Sequence, residues 1–165
     1  MAEFSFRGNP LHTNADLPSV GEAAPDFRVT KSDLSEATLA DYAGKRVVLS
    51  LFPSIDTPTC AASVRAFNER AAQLENTVVL NVSADLPFAM GRFCGAEGIE
   101  NVECGSTFRY PDTLESYGVS QVDGPLAGLS ARAVIVIDEE GKVIHSQLVD
   151  DIAKEPDYDA ALAVL

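Results

Sequence analysis

The spacing of apolar positions changes at residue 53. Val47 to Phe52 is an almost unbroken, β-branched-rich apolar run, which predicts a buried strand over Arg46 to Phe52. Beyond it, Val64, Phe67, Ala71 and Leu74 recur at helical spacing, so Pro58 to about Leu74 reads as an amphipathic helix. Thr77 to Ser83, with Val78, Val79, Leu80 and Val82, returns to a strand pattern. Strand, helix and strand in that order form a βαβ unit, which implies parallel strands joined by a right-handed crossover.

The flanking segments fit around this unit. Phe4 to Arg7 followed by Gly8, Asn9 and Pro10 reads as an N-terminal hairpin. Leu17 to Pro25 is loop, Asp26 to Thr30 a further strand, and Thr38 to Gly44 a single helical turn closed by glycine. A second helix starts near Pro87, with Asp85 close to its cap, and fades at Gly95 or Gly98. Its interior Gly91 costs about 1 kcal/mol relative to alanine, so this helix is expected to be weak. Asn101 to Pro111 is ambiguous. Asp112 to Tyr117 reads as a short helix, and Gly118 to Ser130 as a glycine-rich loop. Ala133 to Ile137, a turn at Asp138 to Lys142, and Val143 to Val149 form a β-hairpin, and Asp157 to Leu165 a terminal helix. The expected architecture is one α/β domain over residues 1–165: a thioredoxin-like fold with a central mixed sheet flanked by helices and an added N-terminal β-hairpin.

The junction between the first strand and helix carries candidate chemistry. Thr57 suits the cap and Pro58 the first helical position, leaving Cys60 in the first turn. The positive end of a helix favours the thiolate, the reactive form of cysteine. A buried structural cysteine is the plainer reading of Cys60, since free cysteine is commonly buried. The Thr57 hydroxyl, one turn away, is equipped either to donate to a thiolate or to accept from a hydroperoxide. Pro53 ends the strand, and its ring is suited to wall the sulfur from bulk water.

Composition narrows the partners. Among 165 residues the formal net charge is -13, which argues against a nucleic acid or an anionic membrane. No apolar run approaches the roughly 20 residues that span a bilayer. The segment Met1 to Arg7 lacks the basic and apolar regions of a secretory signal, so a cytoplasmic location is expected. Three cysteines are too few for a disulfide scaffold, and none forms a C-x2-C pair suited to zinc. His12 and His145 show no metal-ligand spacing, and neither a metal nor a cofactor is expected.

Pro53, Thr57 and Cys60 together read P-x3-T-x2-C, which resembles the active-site motif of the peroxiredoxins. The longer stretch Ser54 to Cys60 is similar to their thiol peroxidase branch, the atypical two-cysteine peroxiredoxins. The likeness continues through Val82 to Phe88, Arg92 to Glu97, Ser106 to Arg109, Asp123 to Leu126, Ala131 to Ala133, His145 to Asp150 and Glu155 to Tyr158. It implies that Cys60 is the peroxidatic cysteine, Thr57 the active-site threonine, Pro53 the shielding proline and Arg132 a fixed cation beside the sulfur. Taken alone, Arg132 reads as a surface residue. The resemblance also makes Cys94 the resolving cysteine, which condenses with a Cys60 sulfenic acid within one chain. Sulfenic acids do condense with thiols. If the two sulfurs start apart on separate helices, local unwinding is required, and Gly91 and Gly95 would ease it. Cys104 departs from the pattern and reads as an idle thiol, with a competing disulfide partner or an oxidation-sensitive site as alternatives.

The implied activity is a thiol-dependent peroxidase acting on alkyl hydroperoxides and hydrogen peroxide, recycled by thioredoxin and forming homodimers. Two other readings share the cysteine pair. A thioredoxin-type thiol-disulfide oxidoreductase lacks its second cysteine, because Ser63 stands where C-x2-C requires it. A non-catalytic redox sensor would oxidise once, without turnover.

Overall fold

A computed structural model describes all 165 residues. Nine strands and four helices follow one another: β1 (Glu3–Phe6), β2 (Asn9–His12), β3 (Arg28–Lys31), β4 (Glu36–Thr38), β5 (Arg46–Leu51), α1 (Pro58–Ala71), β6 (Thr77–Ser83), α2 (Pro87–Glu97), β7 (Glu103–Ser106), α3 (Asp112–Ser116), β8 (Ala133–Ile137), β9 (Val143–Leu148) and α4 (Tyr158–Ala163). A 3-10 turn, Leu39–Tyr42, precedes β5.

Seven strands form one sheet in the order β4-β3-β7-β6-β5-β8-β9. β5 pairs in parallel with β6, and β6 with β7, as the crossovers require. β5 pairs antiparallel with β8, and β8 with β9. The sheet is therefore mixed and flanked by helices, as expected from the order of elements. Alternation along β5 decides the layers. Val47, Leu49 and Leu51 join Val29, Leu80, Ile135 and Tyr117 on one face. Val48 points to the other, with Val79, Val134, Phe67 of α1 and Ala161 of α4.

Several boundaries differ from the sequence pattern. α1 ends at Ala71 rather than Leu74, and the chain turns into β6 through Asn76, which has φ +50° and whose amide donates to the Gly44 carbonyl at 3.0 Å. α4 is shorter than Asp157 to Leu165. Asp157 caps it instead of belonging to it, its Oδ1 accepting from the Ala160 N–H at 3.0 Å. β4 escaped the pattern. So did β7, which lies in the ambiguous stretch and pairs with both β6 and β3. It is too short and polar to show a period, and Gly105 is there because a Cβ would come within 2.5 Å of Val29.

The hairpin β1–β2 turns at Arg7 and Gly8, both at positive φ. It is docked on the body. Phe4 and Leu11 pack on Ala131 and Ile152. The Ser5 N–H donates to the Asp150 carbonyl at 2.8 Å, and the Ile152 N–H to the Ser5 carbonyl at 3.0 Å. Segment 150–152 is thus held on the hairpin side, which matters for the site below.

Candidate active site

Cys60 sits in the first turn of α1 and is wholly buried. Its Sγ lies 3.3 Å from Nη2 of Arg132, 72 residues further along the chain. Pairing of β5 with β8 brings them together, because β8 starts one residue after Arg132 and its first residue, Ala133, lies opposite Leu51, at the mouth of the cysteine loop. Arg132 is 3% exposed, so a surface assignment does not hold for it. Its Nε and Nη2 donate to the Ile152 carbonyl at 3.0 and 2.9 Å. None of its hydrogen bonds reaches a carboxylate. A guanidinium keeps its charge even when buried. A buried cation without an anion is costly, and a Cys60 thiolate is the anion placed to balance it. Nη1 is buried without a partner and is therefore free to donate.

Thr57 occupies the cap position of α1, but its hydroxyl does not cap. It donates instead to the Ser54 carbonyl at 2.9 Å. With its hydrogen committed there, the oxygen presents lone pairs only. Of the two roles open to it from the sequence, the acceptor role fits.

The loop before the cysteine is pinned by a residue whose part the sequence did not reveal. Asp85, between β6 and α2, accepts from the Ser54 hydroxyl at 2.7 Å, the Ile55 N–H at 2.7 Å and the Ser83 hydroxyl at 2.6 Å. It is not the α2 cap, a position held by Leu86. An acidic residue just before a proline-initiated helix reads locally as a cap, and nothing in the chain nearby points back to residue 54.

Pro53, Thr57 and Arg132 line an open cavity of about 320 Å³, together with Phe6 from the hairpin, Leu126 and Ile152. Phe6 and the 126–129 loop were not foreseen as part of the site. They come from a hairpin and a glycine-rich loop that carry no chemical signature of their own.

Cys94 lies on α2, half-buried, and all three cysteines are free. Cys60 and Cys94 border one apolar cluster with Phe52, Ile55, Val64 and Ile99. The sulfur that Cys94 meets, however, is that of Cys104 on β7, at 3.4 Å. Cys104, an idle thiol by its sequence position, thus has a sulfur neighbour, which favours the alternative of a disulfide partner. A hydrogen bond from Cys104 pulls the Cys94 thiol below its ordinary range. The same contact, with burial, pushes Cys104 up. The more exposed sulfur is the one that ionises. Ser63, at the position a C-x2-C pair would need, is buried. No helix is long and apolar enough to cross a membrane.

Comparison with known proteins bears on the family and the fold. The Redoxin family model matches residues 19–162. A thiol peroxidase of Corynebacterium glutamicum is 54% identical over 166 residues, covering all of this chain and 99% of that one. The crystal structure of a peroxiredoxin-like protein from Aquifex aeolicus superposes with a TM-score of 0.94 at 41% identity, covering 99% of this chain and 96% of the other. A thiol peroxidase from Chromobacterium violaceum superposes with a TM-score of 0.90 over 98% of this chain and 94% of its own, at 21% identity, a likeness of fold.

Proposed function

The chain belongs to the redoxin family, in the thiol peroxidase branch of the peroxiredoxins, and acts as a thiol-dependent peroxidase; from that premise we propose that Cys60 is the residue oxidised by peroxide and Cys94 the residue that resolves it. A peroxidase of this family takes a hydroperoxide and is returned to its starting state by a thiol. The Cys60 thiolate attacks the terminal oxygen of the hydroperoxide. The O–O bond breaks, the terminal OH passes to sulfur so that Cys60 becomes a sulfenic acid, and the departing alkoxide or hydroxide takes a proton from solvent to leave as an alcohol or water. Arg132 holds the thiolate through Nη2, and its free Nη1 donates to the oxygen on which charge develops. Thr57 accepts from the hydroperoxide O–H, and Pro53 walls the site. The observation that carries this assignment is the buried Arg132 guanidinium 3.3 Å from Cys60 with no carboxylate to neutralise it.

The Cys94 thiolate then attacks the sulfenic sulfur, the S–O bond breaks, the hydroxide takes a proton from solvent and leaves as water, and a Cys60–Cys94 disulfide forms. Their sulfurs are not in contact in the reduced chain, so the end of α2 unwinds for this step. Apolar cavity walls at Phe6, Leu126 and Ile152 favour an alkyl hydroperoxide over hydrogen peroxide. We assign thioredoxin as the dithiol that reopens the disulfide by exchange. The whole of residues 1–165 acts as one domain, in the cytoplasm, as a homodimer, for which the exposed Leu86, Phe88 and Phe108 offer apolar surface.

The test is a coupled assay with thioredoxin, thioredoxin reductase and NADPH. Cys60→Ser loses all turnover. Cys94→Ser reacts once and then stalls or overoxidises. Turnover surviving in Cys60→Ser would overturn the assignment, and a single oxidation without turnover in the unaltered protein would favour a sensor.

A further inference from the structure

Cys104 is a buried nucleophile that the cycle above leaves unused, and its sulfur is already the neighbour of Cys94. We propose that Cys104 takes over the disulfide from Cys60, so that the oxidised protein rests as Cys94–Cys104 with Cys60 free again. This rests on the reading of Cys94 as the resolving residue. The step is a thiol-disulfide exchange. Cys104 loses its proton and attacks Sγ of Cys94. The Cys60–Cys94 bond breaks, and its electron pair leaves on Cys60 Sγ. One disulfide is consumed and one formed, so no further oxidant or reductant enters. The proton released by Cys104 passes to solvent.

Geometry sets the direction. A disulfide needs its sulfurs about 2.05 Å apart. Cys94 and Cys104 stand at 3.4 Å with α2 fully folded, so they close by a small side-chain movement. Cys60 lies wholly buried in α1 and meets no sulfur, so its bond to Cys94 holds the end of α2 open. The open form gives up the Ile99 N–H bond to the Cys94 carbonyl at 2.9 Å and the ion pair of Glu97 with Arg65 at 2.9 Å. Refolding of α2 restores both, and only the Cys94–Cys104 bond is compatible with it. The leaving group is favoured too, because Cys60 departs as a thiolate beside Arg132. The leading cause that keeps Cys104 protonated in the reduced chain is its contact with Cys94. That contact no longer opposes ionisation once Cys94 carries no charge.

The consequence is a second reaction without reductant. A chain holding Cys94–Cys104 has a reduced Cys60, which takes a further hydroperoxide. The external reductant then meets a disulfide on α2 and β7 rather than one reaching into the active site.

The test is non-reducing peptide mapping after one equivalent of hydroperoxide, with free thiols blocked. The unaltered protein yields Cys94–Cys104, Cys104→Ser and Cys104→Ala yield Cys60–Cys94, and Cys60→Ser yields neither. Without reductant, the unaltered protein consumes twice the hydroperoxide that Cys104→Ser consumes before stalling. Finding Cys60–Cys94 as the only product in the unaltered protein would overturn the relay and leave the assignment of Cys94 standing. Cys94–Cys104 forming as fast in Cys60→Ser would overturn it as well, by showing direct oxidation. Absence of Cys60–Cys94 in both Cys104 variants, despite their oxidation, would overturn the assignment of Cys94 itself.

Discussion

The two helices that carry the reactive cysteines are fastened in opposite ways. The start of α1 is set in a frame of buried and half-buried bonds: Asp85 binds the loop at Ser54 and Ile55 and is itself held by Ser83 of β6, and Arg132 is locked to Ile152 and to the Cys60 sulfur. α2 is anchored by buried Pro87 and Met90 in its first turn, whereas beyond them Phe93 and Cys94 are only half-buried and the fastening passes to exposed ion pairs, Arg65 with Glu97 and Arg92 with Asp56. It has no side-chain cap and carries two glycines in its interior. Peroxide chemistry needs fixed charges around one sulfur. Resolution needs the other sulfur to travel, and exposed pairs with a weak helix release it at low cost. The division of labour is thus a difference in how the same chain spends its hydrogen bonds.

Removing the fixed cation breaks the rigid half most severely. Arg132→Met is expected to slow hydroperoxide consumption by about 10²–10³-fold, the usual loss for one donor at a developing oxyanion. Competition kinetics of Cys60 oxidation check this, with Arg132→Lys recovering part of the rate. The next largest effect comes from Asp85→Ala, which leaves the loop unpinned. Hydrogen bonds to a charged group contribute about 1.5–3 kcal/mol each, so urea unfolding is expected to show a loss of a few kcal/mol, together with slower peroxide reaction.

Stiffening α2 sharpens the comparison without touching the first step. A Cβ at Gly91 would meet only the Ser32 Cβ at 3.6 Å, an ordinary contact. Gly91→Ala should strengthen the helix by about 1 kcal/mol and slow disulfide formation roughly fivefold. The rate of Cys60 oxidation should stay unchanged, and overoxidation should rise, read by intact mass at increasing peroxide. An equal slowing of both steps would show that α2 does not move on its own.

The smallest effect concerns pH. The hydrogen bond from Arg65 holds the Glu97 carboxyl below its ordinary range. A depressed carboxylate contributes its fastening fully above the unfolded value of about 4.3 and loses it as pH falls through the folded value. Glu97→Gln should therefore resolve its sulfenic acid about twofold faster than the unaltered protein at neutral pH, an exposed pair being worth little. The two proteins should converge in rapid-quench measurements as pH drops below that range.

Much of the rigid half was legible along the chain. Pro53, Thr57 and Cys60 lie close together in one strand-to-helix turn, β5 and β6 are short apolar runs, and α1 carries apolar positions at helical spacing. Thr57 takes the cap position its place in the sequence predicts, but its hydroxyl serves the Ser54 carbonyl three residues back rather than the N–H groups ahead of it. The mobile half was legible as an element but not as an environment. α2 announced itself through Pro87 and its weakness through Gly91. Its neighbour β7 did not, since Glu103, Cys104, Gly105 and Ser106 show no alternation of apolar and polar.

The sequence by itself determined the reactive turn, the order of elements and the family likeness, because each is written in residues close together or in a motif. Only the tertiary structure decided what surrounds the sulfurs. It seated Arg132 against Cys60, made Asp85 a clamp rather than a cap, and placed Cys104 rather than Cys60 beside Cys94. The physical reason is that these neighbours are set by strand pairing. The ladders of β5 with β8 and of β6 with β7 join residues far apart in the chain through backbone groups that every side chain shares. No local pattern of side chains encodes them.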